Sequence, residues 1–162
     1  MAGKRNQNPN LFHDPVSGKF FLTFYRGNDH DHFDIVSKSA QTVHGLADAP
    51  EKLLMTTDQT VAAPTLLYVP RGGTGGNGTY YLATEIYPSR YVSKTTGWEV
   101  KVFYSDKPNG TFRPVNDNPV QSRGRACLFQ FIFNGTYYGY QSHLDTATGK
   151  WEMEVLTASL PK

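Results

Sequence analysis

Lys19-Phe-Phe-Leu-Thr-Phe-Tyr25, Thr79-Tyr-Tyr-Leu-Ala-Thr-Glu85 and Thr136-Tyr-Tyr-Gly-Tyr-Gln-Ser142 are three versions of one strand phrase. Each follows a glycine placed for a hairpin turn: Gly18, Gly78 and Gly135. Each precedes a second alternating run, Phe33–Ser39, Trp98–Ser105 and Trp151–Ser159. Aromatic and β-branched residues in a period of two suit a half-buried pleated sheet. Short strands recurring in a unit of roughly 50–65 residues predict propeller blades. The predicted fold is therefore all-β: a β-propeller with three blades of mostly four antiparallel strands.

The blades are expected at 8–57, 62–120 and 123–162, within a single domain spanning 1–162. Pro9–His13 opens the first, Ala62–Tyr68 the second and Arg125–Phe133 the third; Glu51–Met55 can serve as an outer strand. Only Leu160-Pro-Lys162 remains beyond the last alternating run, so the third blade is incomplete. An open blade presents unpaired backbone groups. The N-terminal residues or a partner subunit would complete it, and a homodimer making a six-bladed arrangement is expected.

Composition narrows the partners. Sixteen basic and 14 acidic residues leave a net charge of +2, which gives no case for nucleic acid or a membrane surface. No apolar stretch approaches the roughly 20 residues of a membrane helix. The start, Met1-Ala-Gly-Lys-Arg-Asn-Gln-Asn8, lacks an apolar signal core, so a soluble chain is expected, its location otherwise open. The single cysteine, Cys127, excludes an internal disulfide and, within its apolar run, is expected as a buried thiol.

The glycine-rich loop Pro70–Gly78 lacks both a Gly-Lys-Ser/Thr ending and a following helix, so it is expected as a hairpin tip and not a phosphate cradle. The three Asn-Gly-Thr triplets, at Asn77, Asn109 and Asn134, are formally glycosylation acceptors. Asn-Gly is equally the preferred pair for a type I′ turn, which explains them more simply.

The phrasing of the repeats resembles the five-bladed propeller glycosidases, the family 43 glycoside hydrolases and their relatives. The matching residues are Asn8-Pro9 with Phe20-Phe21-Leu22, Ala63-Pro64 with Tyr80-Tyr81-Leu82, and Arg125-Ala126 with Tyr137-Tyr138. The resemblance implies a carbohydrate partner and hydrolysis of a glycosidic bond by carboxylate acid–base chemistry, without a cofactor. Such enzymes place a catalytic carboxylate at the start of an innermost strand. Here those positions carry Asn8, Thr65 and the pair Arg123 and Arg125, none of them an acid.

Acids elsewhere are therefore the catalytic candidates. Aligning the second strands puts Tyr25-Arg26, Glu85-Ile86 and Ser142-His143 at corresponding ends. Glu85 closes an apolar-aromatic run, where desolvation can raise a carboxyl pKa as a general acid requires; the alternative is a solvated Glu or a partner for Arg26. The segment Asn28-Asp-His-Asp-His-Phe-Asp34 supplies Asp29 or Asp31 as base or nucleophile. If extended, it puts His30, His32 and Asp34 on one face, a partial ligand set short of a closed metal site, so no metal is assigned. Arg26, Arg125, Gln141 and His143 are the expected substrate-binding residues, with cross-strand pairing as the alternative for the last three. The competing reading is a non-catalytic carbohydrate-binding or assembly module derived from a propeller glycosidase.

Overall fold

The computed structural model describes residues 6–28, 32–71, 78–87, 97–116, 119–121 and 124–159. They form three antiparallel sheets in chain order. Blade 1 is β1 (Asn6–His13), β2 (Phe20–Asn28), β3 (His32–Ala40) and β4 (Lys52–Thr57), paired in that sequence. Blade 2 is β5 (Thr60–Pro70), β6 (Gly78–Tyr87), β7 (Glu99–Ser105) and the two-residue β8 (Arg113–Pro114). Blade 3 has three strands: β9 (Arg125–Phe133), β10 (Thr136–Asp145) and β11 (Lys150–Ser159). The innermost strands β1, β5 and β9 lie side by side in series.

Blade 3 has no fourth strand among the described residues. Asn6 and Gln7 do not supply one. They extend β1 instead, opposite Arg26 and Tyr25.

Alternation sorts each strand into two faces, and packing follows from that. Phe21 and Ile35 of blade 1 meet Val61, Leu66, Tyr80, Leu82 and Ile86 of blade 2 in the larger core cluster. Ala83 and Val100, on the other face of blade 2, meet Leu128 of blade 3 in a smaller one. Polar bonds also cross between the inner strands: the Leu66 N–H donates to Asn10 Oδ1 at 3.3 Å, and Gln130 Nε2 to the Thr65 carbonyl at 3.3 Å.

The turns use the residues that turn chemistry requires. Asn134 and Gly135 both take positive φ, 48° and 72°, as a type I′ hairpin demands. Asp14 accepts bonds from the N–H groups of Val16 and Ser17 and from the Ser17 hydroxyl, closing the β1–β2 turn. Gly78 differs from its expected role. It is the first residue of β6, opposite Pro70, and an added Cβ would lie 2.4 Å from the Tyr68 ring. Close approach of an aromatic, not turn geometry, calls for glycine there.

Candidate functional site

Each innermost strand carries the same irregularity near its start. Register shifts fall between Gln7 and Asn10, between Ala62 and Thr65, and opposite Tyr140 to Ser142. At each shift one non-glycine residue is left-handed: Asn8 (φ 47°), Ala63 (φ 43°) and Cys127 (φ 56°). These are β-bulges, which re-aim side chains at the ends of strands. Just before each bulge, Gln7 faces Tyr25, Ala62 faces Glu85 and Ala126 faces Ser142. Tyr25, Glu85 and Ser142 are thus equivalent positions of the three blades, as aligning the second strands leads one to expect.

Glu85 occupies the blade 2 position and turns toward blade 3. It shares a face with Ala83, two residues away on β6. Its side chain is buried, with 4% of the residue exposed. Its Oε1 accepts the N–H of Cys127, the left-handed bulge residue of blade 3. Among the described residues no cation pairs with it. Burial therefore dominates, and its pKa is pushed up to about 7, against the partial opposition of the Cys127 bond. The Glu85 charge also reaches blade 1, where it adds to burial in raising the Tyr25 phenol; that hydroxyl donates to Gln7 Oε1 at 2.7 Å.

Cys127 differs from its expected place. The residue is exposed, because the bulge turns it out of the apolar run. Partial burial of its thiol, and then the neighbouring Glu85 carboxyl, raise its pKa.

Arg26 does not approach Glu85. Its Nη1 lies 2.6 Å from Glu51 Oε2 and its Nε 3.7 Å from Asp34 Oδ2, while Asp34 also accepts the Thr56 hydroxyl at 2.9 Å. Asp34 is thus engaged by blade 1 itself. Asp29, His30 and Asp31 lie outside the described residues; the strands they join, β2 and β3, end at Asn28 and begin at His32. No group of three metal-ligating side chains occurs among the described residues.

Arg125, Gln141 and His143 do come together, around a residue that the sequence did not single out. Glu154 of β11 accepts Gln141 Nε2 at 2.6 Å and Arg125 Nε at 3.3 Å. His143 faces Arg125 on one side and Glu152 on the other. The Gln141 bond, then Arg125, hold the Glu154 carboxyl below its usual range. Alternation along β11 offered a signal, since Glu152 and Glu154 share a face that a strand paired with β10 turns toward His143 and Gln141. Gln141 is buried to 1% exposure, and its Oε1 has no partner among the described residues.

A cavity of about 540 Å³ lies among the inner strands beyond the bulges, lined by Asn10, His13, Leu66, Tyr68, Gln130 and Phe131 among others. Its lining does not include Glu85. Glu85 and Glu154 stand on β6 and β11, whereas this hollow is lined mainly by β1, β5 and β9.

No protein-family model matches this chain, and no curated protein matches it. Solved structures do. Zg3597, a family 117 glycoside hydrolase of the marine bacterium Zobellia galactanivorans, superposes with a TM-score of 0.66 at 13% identity, over 98% of this chain and 53% of that one. An endo-1,4-beta-xylanase from Bacteroides thetaiotaomicron gives 0.60 at 14% identity, over 98% and 61%. A GH43_12 protein from a capybara gut metagenome gives 0.60 at 14% identity, over 92% and 30%. The chain thus spans about half the length of the first of these, and less than two thirds of the others. Among the described residues no helix is long and apolar enough to cross a membrane. At such identities the likeness is one of architecture: the chain has the fold of the propeller glycosidases, represented by three successive blades.

Proposed function

We propose that this protein acts on carbohydrate, with Glu85 as the proton donor in cleavage of a glycosidic bond. The observation that carries the reading is a buried carboxyl with no cationic partner among the described residues and a pKa of about 7. At neutral pH such a group is protonated about half the time, which is what a general acid needs. Once the proton has passed to the leaving oxygen, the Cys127 N–H stabilises the carboxylate that remains.

Glycoside hydrolysis also requires a second carboxyl, about 5–5.5 Å away for retention or about 6.5–9.5 Å for inversion. Asp29 or Asp31 takes this part. Both follow β2, whose Tyr25 already senses the Glu85 charge. Arg26, Arg125, Gln141 and His143 are assigned to hydroxyl recognition; Gln141 Oε1, without a partner among the described residues, is an acceptor available for a sugar hydroxyl. A panel of chromogenic glycosides tests the proposal. Cleavage by the native chain and its loss in Glu85→Gln, with an unchanged circular dichroism spectrum, is the expected result. Undiminished cleavage by Glu85→Gln removes Glu85 from the chemistry.

One observation favours a second reading, a carbohydrate-binding module without catalysis. Among the described residues Glu85 meets no second carboxylate, and the Arg125 charge is already matched by Glu154. Heat on titration with simple sugars, without turnover of any glycoside, would decide for that reading.

A further inference from the structure

The Glu85 carboxyl is buried, but the residue that binds it is not. Cys127 is exposed, and it reaches Glu85 across the seam between blades 2 and 3. Two features of Cys127 fit it to hold that carboxyl.

The first is its backbone. A φ of 56° is left-handed, a conformation that residues with a Cβ rarely adopt. The bulge that imposes it lies opposite Gln141, between the pairs Tyr140–Phe129 and Ser142–Ala126. In that conformation the Cys127 N–H donates to Glu85 Oε1. Strained backbone of this kind persists where the surroundings hold it in place, and it gathers at functional sites.

The second is its side chain. The thiol also hydrogen-bonds the Glu85 carboxyl. Burial raises the Glu85 pKa, and this bond draws it back down. Burial, then the Glu85 charge, then the same bond raise the thiol. The repeat departs from itself at both partners together: in the seam between blades 1 and 2 the equivalent residues are Tyr25 and Ala63, and the bulge residue there has no polar side chain.

We infer that Cys127 is the positioning residue of Glu85, its N–H and thiol fixing the carboxyl in the seam and covering it on the solvent side. The positioning role rests on the reading of Glu85 as proton donor; the contact that performs it does not. A thiol is a weak donor, so it steadies the carboxyl without holding it ionised. Among the described residues the other groups facing Glu85 are the Tyr25 phenol of β2, Ala62 of β5 and Val100 of β7. Glu99 and Lys101 flank Val100 on the other face of β7, where Lys101 reaches Gln59. Arg125, the cation of β9, is committed to Glu154.

Cys127 is the single cysteine of the chain, so alkylation by iodoacetamide reports on this contact alone. Glu85→Gln removes the charge that opposes the thiolate, and at pH 8 it should quicken alkylation about threefold. An unchanged rate overturns the contact. A second arm follows the side-chain carboxyl ¹³C resonance of Glu85, identified by its absence in Glu85→Gln. Its titration midpoint should rise by at least ~0.5 pH in Cys127→Ala and return to the native value or below in Cys127→Ser. Alanine suits the bulge, since Ala63 takes the same conformation in blade 2. A midpoint unmoved in Cys127→Ala overturns the positioning role. Neither arm uses a sugar or turnover, so failure here is distinct from failure of the native chain to cleave a glycoside.

Discussion

At Glu85, burial and proton affinity are linked in a way that stability measurements can read. A carboxyl in an unfolded chain ionises near its ordinary value of 4.5, and in this fold near about 7. Between those values the folded state holds the proton and the unfolded state has released it. The unfolded state therefore binds fewer protons, and stability falls as pH rises through that window. The full difference is on the order of 3 kcal/mol, reached above pH 7. Glu85→Gln keeps an acceptor for the Cys127 N–H and removes the ionisation. Urea unfolding midpoints at pH 5 and pH 8 should therefore differ for the native chain and converge for Glu85→Gln. A native midpoint that rises from pH 5 to pH 8 contradicts the assignment. The burial of Glu85, and the direction in which burial moves its carboxyl, were legible from its place at the end of an apolar run. Its partner was not, because the Cys127 N–H is freed by a left-handed bulge that no residue type announces; Asn favours that conformation, whereas Ala and Cys do not.

At the scale of the element, the β1–β2 hairpin shows how a turn can hold two blades together. Asp14 is 1% exposed, and besides the three bonds within its own turn it accepts the Tyr80 hydroxyl of β6 at 2.8 Å. That bond, with burial as the larger cause, raises the Tyr80 phenol pKa. Asp14→Ala should cost about 2–4 kcal/mol, since it orphans two backbone donors and a buried hydroxyl. Tyr80→Phe removes only the bond between blades, so its cost should be nearer about 1 kcal/mol. Chemical denaturation of both variants checks the order, and equal costs would mean that the turn bonds contribute little. The turn was readable from Asp14-Pro-Val-Ser-Gly18, because each residue type has a local reason to be there. The reach to Tyr80 was not, since it joins positions 66 residues apart. The same limit explains Glu154: Arg125 and Gln141 stood out as polar residues among aromatics, but their acidic partner depends on the β10–β11 register.

Across the whole molecule, repetition made the fold legible and also predicts where it yields. Three copies of one strand phrase disclosed three blades, because each copy must bury the same alternation of side chains against a neighbour. What repetition does not supply is equal cover. Blade 2 has a blade on both faces, and β6 is almost wholly buried, from Thr79 through Ile86 apart from Tyr81. Among the described residues blade 3 has cover on one face only, and β11 is an unpaired edge of its sheet with eight of its ten residues exposed. Local opening costs least where few apolar contacts must be broken. In native-state hydrogen exchange, amides of β6 should exchange only on global unfolding, while those of β11 should exchange at least ~100-fold faster. Uniform protection of β6 and β11 would mean that the three blades unfold as one unit.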